Sequence, residues 1–292
     1  MVERRREARG EASVESCVRG YTLDPLQVNI SSVLSLAFVE CYRRALESRG
    51  PPEDYISDYT RAFVSRFEEG RVYSCDRVRG LLSRLSAELD EIARGLEWGY
   101  YVFSINMTTI TRLLVHTRNP YVPFEVSLAW DPIRNVPYIP ASTLKGASRH
   151  YFERMGIEVD GCAYYDLFGR TESEGLVVFT DAYPVHCGRA LVEAEVMAPH
   201  YSEVEYNIDE ASASPVPLVF LAVPPQVTFR AIVAIRRREG KGCSIKPDTA
   251  LKIVEKISEA LTQGVGAKTS VGYGRLRVTY GARGKPESQS ST

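Results

Sequence analysis

No long apolar run occurs in the 292 residues. The most apolar window, Val216–Val223, is bounded by Pro215 and Pro224-Pro225, and eight residues fall well short of the ~20 a helix needs to cross a bilayer. No membrane partner is therefore expected. Met1–Gly10 carries four arginines but no apolar core of a secretory leader follows, so a cytoplasmic location is expected. Histidine is scarce, four in all, and the six cysteines (17, 41, 75, 162, 187 and 243) include no Cys-x-x-Cys pair. Zinc needs four converging ligands, usually paired at short spacing, so neither a metal nor another cofactor is expected. In a reducing compartment such cysteines read as small buried hydrophobes. Excess charge of one sign is missing too: 36 basic and 37 acidic residues leave a net −1.

What is present is an ordinary globular composition, 44% hydrophobic and 25% charged, enough for one large domain or two modest ones. The charge is unevenly spread. Glu153 to Glu210 holds 13 acidic against 3 basic residues, and Thr228 to the end holds 13 basic against 5 acidic. A basic lobe suits an anionic partner, and an acidic lobe a different contact; two solvated faces would give the same counts.

The first third reads as helical. Pro25–Ser48 spaces Leu26, Ile30, Val33, Leu34, Ala37, Phe38 and Cys41 by threes and fours, and Gly50-Pro51-Pro52 ends it. A second helix is expected over Asp54–Glu69. A third, Cys75–Trp98, carries Val78, Leu82, Leu85, Leu89, Ile92 and Leu96 at the 4,3 spacing of a seam that packs on a neighbouring helix, in this chain or a partner. Near Gly99 the period changes to two, and Tyr100–His116 reads as a strand. A helix at Ser142–Met155, with Leu144, Ala147, Tyr151, Phe152 and Met155 as its apolar stripe, precedes strands at Leu176–Ala182, Ala190–Met197, Pro217–Val223 and Thr228–Arg236. A helix at Pro247–Gln263, with Gly264 just past its end, and a strand at Ser270–Tyr280 complete the order. This predicts an α+β chain. Residues 1–99 form a helical extension, 100–280 a split-βαβ or ferredoxin-like domain, and 281–292 a disordered tail.

Two segments carry chemistry. In Tyr138–Arg149, Ser142 or Thr143 suits an N-cap, Lys145 and Arg149 share one face four residues apart, and Gly146 leaves room for close approach. Helix-end amides, hydroxyls and two cations together make a cradle for phosphate. The same residues are also compatible with an ordinary capped helix. The second segment is Gly264-Val265-Gly266-Ala267-Lys268-Thr269-Ser270-Val271-Gly272-Tyr273-Gly274. Its glycines permit a nest of amides, Lys268 adds charge and Tyr273 a stacking face; a glycine-rich structural turn is the alternative. It is not a Walker A loop, because Ala267 precedes the lysine and the loop leaves a helix for a strand. Ser142-Thr143-Leu144-Lys145 and Lys268-Thr269-Ser270 also match motifs of serine acyl-enzymes, but the asparagine motif between them and the final glycine are missing.

In order, Ile139–Arg149, Leu167-Phe168-Gly169, Phe179–Pro184 and the glycine-rich loop resemble the RAMP superfamily of CRISPR-Cas proteins. Glu195–Tyr201 and Ser214–Val223 are similar to a further family within it, the sixth-subunit family of type III-B (Cmr) effector complexes. Ala141 departs from the glycine usual there. The resemblance spans Tyr138 to Val278. It implies a ferredoxin-like (RRM-type) domain that binds the guide RNA backbone near its 3′ end and caps a filament of RAMP subunits in antiviral defence. The implied partners are guide RNA, target RNA and neighbouring RAMP subunits. No catalytic role and no metal are implied. Site residues carried over are Ser142, Thr143, Lys145, Gly146, Arg149, Gly264, Gly266, Lys268, Thr269, Ser270, Gly272, Tyr273 and Gly274. His200, in a Pro-His-Tyr segment, is expected to contact RNA or a partner. Some RAMP relatives process guide precursors with a histidine, so an endoribonuclease using His116, His150 or His200 is the alternative. The sheet lacks the aromatic pattern of a base-stacking RRM, so contact through loops and helix ends is expected.

Overall fold

The computed structural model describes residues 14–49, 54–115, 123–197, 217–240, 242–282 and 288–289. They divide into two compact units, one of residues 1–74, 116–135 and 192–222, the other of 75–115, 136–191 and 223–292. Among the described residues, no helix is long and apolar enough to cross a membrane.

In the first unit, helix α1 (Ile30–Arg49) starts five residues later than its apolar spacing predicts. Asp24 accepts the Leu26 amide and folds the chain into a turn. Asn29 then caps the helix, its Oδ1 accepting the Ser32 amide. The Gly50-Pro51-Pro52 stop lies outside the described residues. Helix α2 (Tyr55–Val64) runs into a 3₁₀ turn, Ser65–Gly70. Between them runs a core of rings: Phe38 against Tyr55 and Tyr59 at 5.1 Å each, then Phe63, Phe67, Tyr73 and Trp130 in sequence. Burial pushes the phenol pKa of Tyr59 and Tyr73 upward, and each hydroxyl donates to a backbone carbonyl, of Leu34 and Asn135 respectively. An antiparallel hairpin, Glu193–Met197 with Leu218–Ala222, completes this unit.

The second unit is an antiparallel sheet with helices on both faces. Its strands are β1 (Tyr100–Thr109), β2 (Val177–Phe179), β3 (Tyr183–His186), β4 (Thr228–Arg236), β5 (Leu276–Ala282) and the two-residue β6 (Ser288–Gln289). The order is β6-β5-β1-β4-β2, with β3 also on β4. Ile105, with its neighbours Ala231 on β4 and Tyr280 on β5, lies on a buried face; helices α4 (Ala141–Met155) and α5 (Pro247–Thr262) pack on the sheet and on each other. The opposite face takes helix α3 (Cys75–Leu96), whose Leu89 and Ala93 pack on Val102, Ile232 and Ala234. This settles the apolar seam of α3: it turns onto the chain's own sheet. The break expected at residue 99 is accordingly not where the units part, because α3 belongs with the sheet.

Two further expectations are corrected. All six cysteines form disulfides, Cys17–Cys41, Cys75–Cys187 and Cys162–Cys243, where free thiols were expected. Part of the C-terminal tail is ordered: Gly281 and Ala282 extend β5, and Ser288 and Gln289 pair with Tyr280 and Thr279. Residues 283–287 and 290–292 lie outside the described set.

Candidate nucleic-acid interface

Helices α4 and α5 run antiparallel, as two contacts establish. The Tyr151 hydroxyl, in the last third of α4, reaches Glu259 late in α5, at 3.5 Å. Asp160, beyond the end of α4, accepts from Thr249 and Lys252 early in α5, each at 2.8 Å. The Lys252 ammonium and Thr249 hydroxyl hold the Asp160 carboxyl below its usual range. At 1.5 Å rise per residue, the start of α4 and the end of α5 therefore lie at one end of the helix pair. The glycine-rich loop leaves α5 at that same end.

The start of α4 is not capped as its sequence suggests. Pro140 occupies the N-cap position, Ser142 and Thr143 fall within the first turn, and no side chain of the N-cap bonds the helix. Asp181, just past β2, supplies the cap instead: its Oδ1 accepts the Ala141 amide at 2.7 Å. The Thr143 and Leu144 amides turn back to the Pro140 carbonyl. A carboxylate thus stands where the phosphate cradle was expected, and helix-end amides contribute little to an anion site here. What remains of the motif is its cations. Lys145 and Arg149 are half-buried, with Arg149 over the Tyr164 ring at 5.8 Å, while Ser142 and Gly146 are exposed. We expect Asp181→Ala to cost about 1 kcal/mol by loss of the cap, read as a drop in the thermal midpoint. Asp181→Asn should restore most of it, since asparagine caps as well; an equal loss in both would show that charge, not capping, is what Asp181 provides.

The glycine-rich loop is likewise tied to its own chain. The Ala267 amide donates to Leu114 O at 2.7 Å, the Gly274 amide to Arg112 O at 2.8 Å and the Val265 amide to Gly274 O at 3.0 Å. Tyr273 and Val271 both donate to Lys268 O, and Gly272 donates to Thr269 O. Gly274 is buried at φ +68 and Gly266 lies at φ +96. A Cβ on Gly274 would run into the Val265 carbonyl, and one on Gly266 into that of Leu114. These two glycines serve close packing of the chain against itself. The amide nest expected over the whole loop shrinks to the tip, Gly266–Ser270, where Gly266, Thr269 and Ser270 are exposed and Lys268, at φ +60, is half-buried.

Arg112 and Arg275, both exposed, join this end of the sheet. The Arg275 amide bonds Thr111 Oγ1, and its carbonyl accepts the Ile110 amide. Arg277, exposed on β5, lies opposite Thr108. Sequence reading missed all three. Arg275 and Arg277 were counted in the basic stretch but not placed, and only the topology brings Arg112 beside the loop. Lys145, Arg149 and Arg275 have no ion pair among the described residues, unlike Lys252 and Lys256 of α5, held by Asp160 and Glu259. Asp160 with Lys252 and Glu174 with Arg236 also show that the acidic and basic stretches partly neutralise each other in space.

The alternative RNA surface, the sheet face away from α4 and α5, is occupied. Beside the apolar cover of α3, Arg230 donates to Asn106 Oδ1 and Ser86 Oγ, each at 3.0 Å. The rings on that face, Tyr100 and Tyr183, are half-buried and pack against the same cluster as Leu89 and Ala93 of α3, so they do not stand open as a platform for bases. Among the described histidines, His150 and His186 are exposed; His116 and His200 lie outside the described residues. Among the described residues no three His, Cys, Asp or Glu side chains converge on a position for a metal.

A family model for the RAMP superfamily matches residues 106–277. The CRISPR system Cmr6 subunit of Saccharolobus solfataricus is 35% identical over 193 residues, covering 65% of this chain and 62% of that protein. The Cmr6 subunit of Pyrococcus furiosus is 37% identical over 119 residues, 38% of this chain and 33% of that one. The chain thus spans about six tenths and one third of the lengths of these relatives. A chain in the cryo-EM structure of a type III-B Cmr-beta complex bound to cognate target RNA shares the fold, with a TM-score of 0.64, 23% identity, and 95% and 99% of the two chains covered.

Proposed function

The chain belongs to the RAMP superfamily, and on that footing we propose that it is a non-catalytic, RNA-binding structural subunit of a type III-B CRISPR effector complex. It grips the guide RNA backbone near the 3′ end, caps the row of RAMP subunits, and has guide RNA, target RNA and neighbouring RAMP subunits as partners. The similarity to two Cmr6 subunits supports the complex. A strand order of β5-β1-β4-β2, with α4 and α5 as the two crossovers, supports a ferredoxin-like core.

What supports the RNA reading is that backbone hydrogen bonds bring the glycine-rich loop, with Lys268, beside Arg112 and Arg275 at one end of the sheet, and that Lys145 and Arg149 on α4 have no ion pair among the described residues. With the rings of the sheet face under α3, Tyr100 and Tyr183, packed against that helix's apolar cluster, such a site holds phosphates and accepts any guide sequence. Lys145→Ala and Lys268→Ala should weaken binding equally for unrelated single-stranded RNAs. Each should flatten the salt dependence by roughly 0.7 per lost phosphate contact. Loss for one RNA sequence and not another would refute backbone reading. The isolated protein should leave precursor RNA intact, and cleavage abolished by His150→Ala would establish the nuclease alternative.

A further inference from the structure

The first unit carries a pocket that the RNA reading does not use. It has a volume of about 470 Å³ and is lined by Phe38 and Tyr42 of α1, Tyr55 and Ile56 of α2, and the carboxylates of Asp54 and Glu125. The rings stand edge to face, Tyr55 at 5.1 Å from Phe38 and 4.9 Å from Tyr42, so ring faces as well as edges border the space. Tyr55 is fixed by its hydroxyl, which donates to Phe38 O at 2.7 Å. Asp54 precedes α2 without capping it. Among the described residues neither Asp54 nor Glu125 has a side-chain hydrogen bond or an ion pair, and the pocket lining includes no basic residue.

We propose that this pocket receives an arginine side chain from a protein partner. Two uncompensated carboxylates repel RNA phosphate and attract a cation. Aromatic faces beside them favour a flat, weakly hydrated guanidinium, which combines ion pairing with cation–π contact. The pocket size lies in the range of preformed ligand sites, and its rigid rings need little reordering on binding. Apolar surface continues from it: Val39, Tyr42 and Leu46 lie at i, i+3 and i+7 on α1, with Val39 65% and Leu46 41% exposed. Ile56 is 51% exposed on the other helix. An arginine flanked by apolar residues, presented by a neighbouring chain, complements both features.

The test is titration of the full-length protein with a short apolar peptide carrying one central arginine, followed through the aromatic proton resonances of Tyr42 and Tyr55 at low salt. The control peptide carries citrulline, which keeps the shape and removes the charge. The arginine peptide should shift both rings, and the citrulline peptide should bind about tenfold more weakly or worse. Glu125→Gln combined with Asp54→Asn, both at exposed positions, should abolish that preference while leaving the fold intact. Equal binding of the two peptides, an undiminished preference in the double variant, or no shift at millimolar peptide would each overturn the proposal. So would the same ring shifts produced by oligouridylate, or by raising the protein concentration alone, which would identify RNA or a second copy as the occupant.

Discussion

Gly274→Ala is expected to destabilise the sheet-bearing unit by roughly 3–5 kcal/mol, from left-handed backbone strain added to overpacking. The residue is buried at φ +68, and its missing Cβ faces the Val265 carbonyl, whose own amide bonds Gly274 O. A methyl group can enter only by breaking that bridge, and with it the anchor to Arg112 O. Gly272→Ala is the control. It also has positive φ, +96, but open space around it, so about 1 kcal/mol is expected from backbone strain alone. Denaturant unfolding of the two variants should separate them clearly. If Gly274→Ala proves as mild as Gly272→Ala, the loop is not locked onto residues 112–115. The placement of Lys268 beside Arg112 and Arg275 would fall with it.

The same loop shows how far the sequence could be read. Four glycines before a strand marked the segment correctly, but whether they serve a ligand or the chain itself depends on which carbonyl lies across from each. That partner, Val265 or Leu114, is a matter of tertiary placement. The cap of α4 failed for the same reason: Ser142 and Thr143 are good capping residues, yet a carboxylate 40 residues away takes the position. The strand expected over Leu176–Ala182 is shortened to β2, Val177–Phe179, with β3 following separately at Tyr183–His186: the Thr180 hydroxyl accepts the Ile232 amide at 2.9 Å, and Asp181 turns to α4 while Ala182 pairs with Ile139. Local signals succeeded where no distant partner competed. Helix α5 begins at Pro247 and ends before Gly264 as read, with Ile253, Val254, Ile257, Ala260 and Leu261 buried. The seam of α3 holds through Leu89 and then slips, with Ile92 42% exposed and Ala93 buried. A straight helix drifts by about 20° per heptad, and α3 lies on a sheet, not around a second helix.

Reduction of the disulfides is expected to lower the thermal midpoint by roughly 10 °C or more, a few degrees for each kcal/mol in a unit of this size. The effect follows from loop length, since a cross-link removes chain entropy chiefly from the unfolded state. Cys75–Cys187 spans 112 residues and Cys162–Cys243 spans 81, each worth about 4–5 kcal/mol taken alone, whereas the 24 residues of Cys17–Cys41 give about 3 kcal/mol. The two long loops overlap in sequence, so their contributions do not add. Thermal unfolding with and without a phosphine reductant checks this, together with a thiol count on the denatured, unreduced protein. Six titratable thiols in that count would contradict the pairing outright. Paired serine replacements should rank Cys75/Cys187 above Cys17/Cys41. The Cys75 bond has a second consequence, because it fixes the first turn of α3, where the Cys75 amide also donates to Arg189 O at 2.9 Å. Its loss should speed amide exchange along α3 and under it on β4, with β5 affected less. Exchange rising uniformly across the unit would mean that the cross-link acts only on the unfolded chain and that α3 holds its place on the sheet through Leu89 and Ala93 alone.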